Sequence, residues 1–129
     1  MTGRISLDTN VVIGLFRHDQ RILGIIASHS TICLPVPVVA ELLYAARNSF
    51  RVTDNLKTHN DFIDACAILN ITKETADRYS MLRLLLKRKG KPIPENDLWI
   101  ASLCLEKGVP LCSEDAHFDG IDGLVIISP

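Results

Sequence analysis

Four acids in this 129-residue sequence, Asp8, Glu41, Asp97 and Asp115, stand where a carboxylate needs a reason. Asp8 follows Ile5-Ser6-Leu7, which reads as the end of a short buried strand. An acid at the carboxyl end of a central strand sits where open α/β sheets bind ligands. Asp115 repeats the pattern after the apolar run 109–112 and Ser113-Glu114, although alone it reads as a helix cap. Glu41 shares its helix face with Pro37, Val38, Tyr44 and Ala45. On a buried face its carboxylate must be paired, protonated or metal-bound; at the edge of that face it simply snorkels. Asp97 lies in a first helical turn, where compensation of the helix dipole is reason enough. Drawn together, the four would repel one another, and keeping them ionised takes cations. Hard oxygen ligands without Cys or His select Mg²⁺ or Mn²⁺. Such ions lower the pKa of water and neutralise phosphate oxygens, which makes a phosphodiester the natural substrate.

The elements that must position these acids follow from the apolar pattern. After Asp8, Thr9 and Asn10 can cap a helix from Asn10 to about Phe16, and a second helix runs from Arg21 to Ser28. Thr31–Leu34 reads as a second strand, ended by Pro35 and Pro37. Pro37 suits the first position of a helix that reaches about Arg47. Residues 49–61 are the most polar part of the chain and read as a loop leading into a helix that ends near Ala67. Ala67–Ile71 is a third strand. Thr72 then caps a helix, with Thr75 at its third position and so without a capping box. That helix carries Tyr79, Leu82, Leu85 and Leu86 as an apolar stripe. Its end is basic: Lys87, Arg88, Lys89 and Lys91 are a weak signal for phosphate contact beside a favourable helix C-terminus. Pro92 and Pro94 force an extended entry to the next helix, capped by Glu95 or Asn96 and stopped by Gly108. Residues 98–105 are apolar all round except Ser102, so this helix is buried. Strands at Val109–Cys112 and Leu124–Ile127 complete the chain, with Asp119 and Asp122 as turn residues and His117 as an ordinary surface or interface histidine.

Strands alternating with helices give an α/β domain with a parallel sheet covered on both faces. Right-handed crossovers place all strand C-termini on one edge. Asp8 and Asp115 then open there, and Glu41 and Asp97 lie in early turns of helices leaving it. The length suits one domain, 1–129, with a real core. With 47% apolar residues the chain is not disordered, and a net charge of −1 argues against a general polyanion binder. The apolar run 32–46 is broken by Pro35, Pro37 and Glu41, so no membrane span is expected. Cys33, Cys66, Cys104 and Cys112 form no CxxC pair and read as reduced core residues of a cytoplasmic protein, a Cys104–Cys112 bridge being the minority alternative.

Four segments carry a resemblance: Leu7-Asp8-Thr9-Asn10-Val11-Val12-Ile13, Pro37-Val38-Val39-Ala40-Glu41-Leu42, Asn96-Asp97-Leu98-Trp99-Ile100-Ala101, and Ser113-Glu114-Asp115-Ala116-His117-Phe118 followed by Ile121-Asp122-Gly123-Leu124. In this order, and covering nearly the whole chain, they resemble the PIN-domain family, and within it the VapC toxins of prokaryotic toxin–antitoxin modules. The resemblance implies a three-layer α/β/α sandwich with a five-stranded parallel sheet. It implies a Mg²⁺-dependent endoribonuclease, a homodimer, inhibition by a cognate antitoxin docking near the site, and structured RNA such as a tRNA as substrate. Position by position, it implies that Asp8 and Asp97 are the primary metal ligands. Asp115 becomes a further ligand or supporting acid, and Glu41 the group that orients or deprotonates the attacking water. Asn10 and Ser113 become polar residues that steady the carboxylates. The family's fourth segment often reads Thr-x-Asp; Ser113 keeps the hydroxyl.

Two rivals from the phosphate-handling α/β folds fail on the residues. A receiver domain needs a phosphoacceptor Asp after the third strand and a Lys after the fifth; Asn70 and Ser128-Pro129 stand there. A dehalogenase-type phosphatase needs Asp-x-Asp, and Asn10 takes the second acid's place. A third rival is an inactive PIN-like scaffold that binds RNA or a partner, which an incomplete acidic set would favour. Aromatics are only 5% of the chain, too few for an extended base-stacking platform.

Overall fold

In the computed structural model, which describes residues 2–129 (Thr2 by its backbone alone), each of the first three strands is followed by a pair of helices and the fourth by a short 3₁₀ turn. The first half runs β1 (Thr2–Leu7), α1 (Thr9–Phe16), α2 (Gln20–Ala27), β2 (His29–Pro35), α3 (Val36–Arg47) and α4 (Val52–Asp64). The second half runs β3 (Ala67–Leu69), α5 (Lys73–Arg88), α6 (Glu95–Lys107), β4 (Leu111–Cys112), a 3₁₀ turn (Ala116–Phe118) and β5 (Ile126–Ile127).

All strand pairs are parallel, in the order β3-β2-β1-β4-β5. Ser6 stands opposite Cys33 on one side and Leu111 on the other, which makes β1 the centre of the sheet. Ile5, Ser6 and Leu7 are fully buried, as a central strand covered on both faces requires. The chain leaves β1 toward β2 and β3, then crosses back to β4. The strand order therefore switches beside the C-terminal end of β1, where open sheets bind their ligands. Helices cover both faces, giving three α/β/α layers.

Local chemistry explains the boundaries. Asp8, not Thr9 or Asn10, caps α1: its Oδ1 accepts the Thr9 N–H at 2.8 Å. Pro37 falls at the second helical position, because α3 starts one residue earlier than the proline rule suggests. The polar stretch expected as a loop is α4. Val52, Leu56, His59, Phe62 and Ile63 form its inward stripe, and the sequence pattern misses it because His59 counts as polar. His59 is buried, stacks on Phe16 and has Nδ1 2.7 Å from the Leu42 carbonyl, so its polarity is satisfied.

The expectation of an unboxed start to α5 is also corrected. Thr75 Oγ1 accepts the Thr72 N–H at 3.0 Å while Thr72 Oγ1 accepts the Thr75 N–H at 3.4 Å, so a threonine serves where Glu or Gln is usual. Leu82 and Leu86 of the α5 stripe are buried, but Leu85 is 44% exposed. The start of α6 is set by Pro94, with no side-chain cap, rather than by Glu95 or Asn96. Gly108 ends it at φ 64°, a conformation that a Cβ would oppose. Strands β4 and β5 are two residues each, shorter than their apolar runs. All four cysteines are unpaired, and burial pushes the Cys104 thiol up to about 12. No helix among the described residues is long and apolar enough to cross a membrane.

Candidate active site

The ends of β1 and β4 are tied together before any chemistry is considered. The Asp8 N–H donates to the Cys112 carbonyl at 3.0 Å, extending the β1–β4 pairing to the last residue before the pocket. Ser113, directly after β4, is buried, and its hydroxyl donates to Asp8 Oδ2 at 2.9 Å. The same hydroxyl accepts the Asp115 N–H at 3.0 Å. Ser113 thus links the acids at the ends of two neighbouring strands and fixes the rotamer of Asp8.

Asp115 caps the 3₁₀ turn by accepting the His117 N–H at 2.9 Å, while Phe118 anchors that turn in the core. The cap and the site use are compatible, since a single carboxylate oxygen makes the cap. His117 Nδ1 lies 2.8 Å from Asp97 Oδ2 and 3.1 Å from Asp115 Oδ1. Two carboxylate acceptors require a proton on that nitrogen. The expectation of an unpartnered surface histidine is therefore corrected: His117 is half-exposed, but one edge of its ring belongs to the acidic cluster. Ligand atoms of Asp97, Asp115 and His117 all lie within 4.8 Å of one another.

Glu41 enters from the second turn of α3 and Asp97 from the first turn of α6, two helices in contact. Asn96, next to Asp97, donates to Glu41 Oε1 at 3.3 Å and joins the two helices across the pocket. Glu41 is half-buried.

Burial and neighbouring charges act together on three of the acids. Burial raises the Asp8 carboxyl above the ordinary range; the Ser113 and Thr9 hydrogen bonds work against this, and the charges of Asp97 and Asp115 add to it. Burial likewise raises Glu41, with Asn96 and Thr9 opposing and the Asp8 and Asp97 charges adding. Burial raises Asp97 too, His117 opposing and Asp115 adding. His117 in turn is raised, chiefly by its hydrogen bond to Asp97. Among the described residues no Lys or Arg pairs with any of the four acids. The Thr9 hydroxyl, beside Glu41, is buried without a partner at hydrogen-bond geometry.

Such a pocket, several carboxylates deep and lacking a strong cation, suits a divalent ion. The donor set is oxygen from the acids, with the Nδ1 of His117 as a nitrogen that could join it only on losing the proton it shares with Asp97 and Asp115. The premise of a histidine-free site is therefore amended, and Mn²⁺ tolerates that nitrogen better than Mg²⁺ does.

Not every candidate converges. Asn10 is exposed in the first turn of α1 and makes no hydrogen bond to the carboxylates among the described residues. Lys87, Arg88, Lys89 and Lys91 are exposed at the end of α5, outside the carboxylate pocket. Asn96 and His117 belong to the site and were missed as site residues. Asn96 had a signal in its place beside Asp97. For His117 the only signal was its place two residues after an acid that caps a short turn.

The fold and the pocket together define a parallel α/β/α domain that gathers acids at its strand-order switch. Residues 5–124 match the family model of the PIN domain, and the chain belongs to the PIN-domain family, in its VapC branch. It is 31% identical over 116 residues to a Haemophilus influenzae protein named Ribonuclease VapC2, covering 87% of this chain and 86% of that one. It is 29% identical over 125 residues to Ribonuclease VapC2 of Rickettsia felis, covering 93% of each. Among solved structures, VapBC2 from Rickettsia felis bound to a promoter DNA fragment superposes with a TM-score of 0.88 at 24% identity, over 98% of each chain. VapBC-1 from nontypeable Haemophilus influenzae gives 0.87 at 23% identity, over 97% of each. The two structural likenesses establish the three-layer fold.

Proposed function

We propose that this protein is a divalent-metal-dependent endoribonuclease and the toxin of a toxin–antitoxin pair. The observation that carries the proposal is the acidic cluster at the strand ends: ligand atoms of Asp97, Asp115 and His117 lie within 4.8 Å of one another, the Ser113 hydroxyl links Asp8 to Asp115, and burial first, with neighbouring carboxylates adding to it, raises Asp8, Glu41 and Asp97. The ribonuclease names of the relatives and the antitoxin complexes among the structural neighbours support the same reading.

Asp8, Asp97 and Asp115 would hold Mg²⁺ or Mn²⁺, with His117 placed to add its nitrogen. When bound, the ion lowers the pKa of water and neutralises charge on a phosphate oxygen. Ser113 holds Asp8 in its rotamer, so that carboxylate needs no reordering on binding. Glu41 orients the attacking water and takes its proton. Its carboxyl, already raised by burial, is a better base than a solvated one. Asn96 donates to Oε1 of Glu41 and fixes the direction of that carboxylate. The partners follow from the same reading: RNA, with tRNA as one candidate; an antitoxin near the site; and a second copy of the chain in a homodimer.

The test is cleavage of total RNA by the purified, antitoxin-free chain in Mg²⁺ or Mn²⁺, with EDTA and an Asp97→Asn variant as controls. The proposal expects cleavage that both controls abolish. Tight RNA binding without cleavage under any divalent ion would favour the inactive scaffold instead.

A further inference from the structure

The basic cluster at the end of α5 does not act as one patch. A left-handed Gly90 (φ 71°) closes the helix, with Gly90 N–H donating to the Lys87 carbonyl at 3.1 Å and Lys91 N–H to the Leu86 carbonyl at 2.9 Å. This double closure is a Schellman turn, and it sends successive side chains in different directions. Arg88 lines an apolar groove with Met81 and Leu84. Lys87 lines a cleft with Arg83 and Glu95. Lys89 and Lys91 line a third cleft, of about 250 Å³, whose far wall is the Ala116–Gly120 segment with His117.

That third cleft adjoins the carboxylates. His117, in its wall, is the residue whose Nδ1 touches Asp97 and Asp115. The cleft and the acidic cluster thus share His117 as a common wall. Leu86 and Ile93 give it an apolar lining. Lys89 is 3.6 Å from Asp122, an exposed pair that water screens, and Lys91 has no ion pair among the described residues. Asp119 is the acid that lines the opposite wall.

Resting on the ribonuclease reading above, we infer that this cleft holds the nucleotide next to the scissile bond of a single-stranded RNA, with Lys89 and Lys91 on its phosphate. The apolar lining receives the flat face of the sugar or base. Lys87 and Arg88 take no part, although sequence alone groups all four residues together.

The experiment compares two variants matched in charge, Lys89→Ala/Lys91→Ala and Lys87→Ala/Arg88→Ala, each in a non-cleaving Asp8→Asn background with Mg²⁺ present. Binding of a short fluorescein-labelled single-stranded RNA of mixed sequence is followed by anisotropy across a salt series. Each phosphate neutralised on a single strand contributes about 0.7 to the slope of log Kd against log salt, so the first pair, which shares one phosphate, lowers that slope by about 0.7 and weakens binding roughly fivefold at 0.1 M salt. The second pair leaves the slope unchanged. Equal effects from the two pairs, a larger effect from the second, or no measurable RNA binding by the parent would each overturn the cleft assignment. Cleavage by the wild-type chain is scored separately. If RNA is cut but the pairs behave alike, the cleft fails alone; if the pairs differ but nothing is cut, the hydrolytic reading fails alone.

Discussion

Replacing Asp8 by Asn should have opposite effects on stability with and without a divalent ion. Without metal, Asp8 is a carboxylate at 7% exposure, disfavoured by burial and by the charges of Asp97 and Asp115. Asparagine keeps the shape, caps a helix as well as aspartate, keeps the Thr9 contact through its oxygen, and can donate from its amide to the Ser113 hydroxyl, reversing that bond, while removing the charge. The metal-free variant should therefore melt at or above the wild-type Tm. With metal, the wild type gains RT ln(1 + [L]/Kd), about 2.7 kcal/mol at a hundredfold excess over Kd. A domain of 129 residues unfolds with an entropy of roughly 0.27 kcal/mol/K, so that gain corresponds to about 10 °C. The variant should keep less than about a third of it, because the site loses a ligand. Thermal melts followed by circular dichroism in EDTA and in a Mn²⁺ series read both numbers. A variant less stable than wild type in EDTA, or one with an undiminished metal shift, would refute the reasoning.

Other perturbations test separate links. Glu41→Gln should lower the cleavage rate by about 100-fold or more while leaving Mn²⁺ affinity within severalfold, a split that single-turnover kinetics and calorimetry read together. Phe118→Ala should cost about 4 kcal/mol in urea unfolding, because this side chain is 1% exposed, and should also loosen the Asp115–His117 turn. The raised carboxyls of Asp8, Glu41 and Asp97 bind protons more tightly in the folded than in the unfolded chain. They therefore oppose folding at neutral pH, and this penalty fades as pH falls through their raised values. Metal-free stability from these groups should rise as the pH drops from 7 toward the ordinary carboxylate range, whereas the Mn²⁺-induced gain should shrink over the same interval. Asp19 and Glu74, with lowered values, act in the opposite sense only below that range.

Legibility in the sequence followed how local each cause was. The buried end of β1, the acid after it, the all-apolar α6 and its glycine stop are consequences of neighbouring residues, and the parallel alternation of elements follows from them. Helix α4 was hidden because a buried histidine carries part of its apolar stripe, and only Phe16 and the Leu42 carbonyl explain why that histidine can be inside. The paired threonine cap at Thr72 needs side-chain geometry that residue types do not encode. In the site, the acids could be proposed because each follows a strand or lies in an early turn of a helix on the same edge. His117 and Asn96 could not, since their roles are contacts with residues 20 and 55 positions away. The basic run at 87–91 looked uniform because spacing alone does not reveal the left-handed turn that divides it.

Whether the separated acids fold into one ion-binding pocket is decided by soaking crystals of the metal-free chain in Mn²⁺ and collecting anomalous diffraction. The expected result is an anomalous peak within bonding distance of Asp8, Asp97 and Asp115 that is absent from the Asp97→Asn variant. A peak elsewhere on the surface, or none at a concentration that supports RNA cleavage, would contradict it.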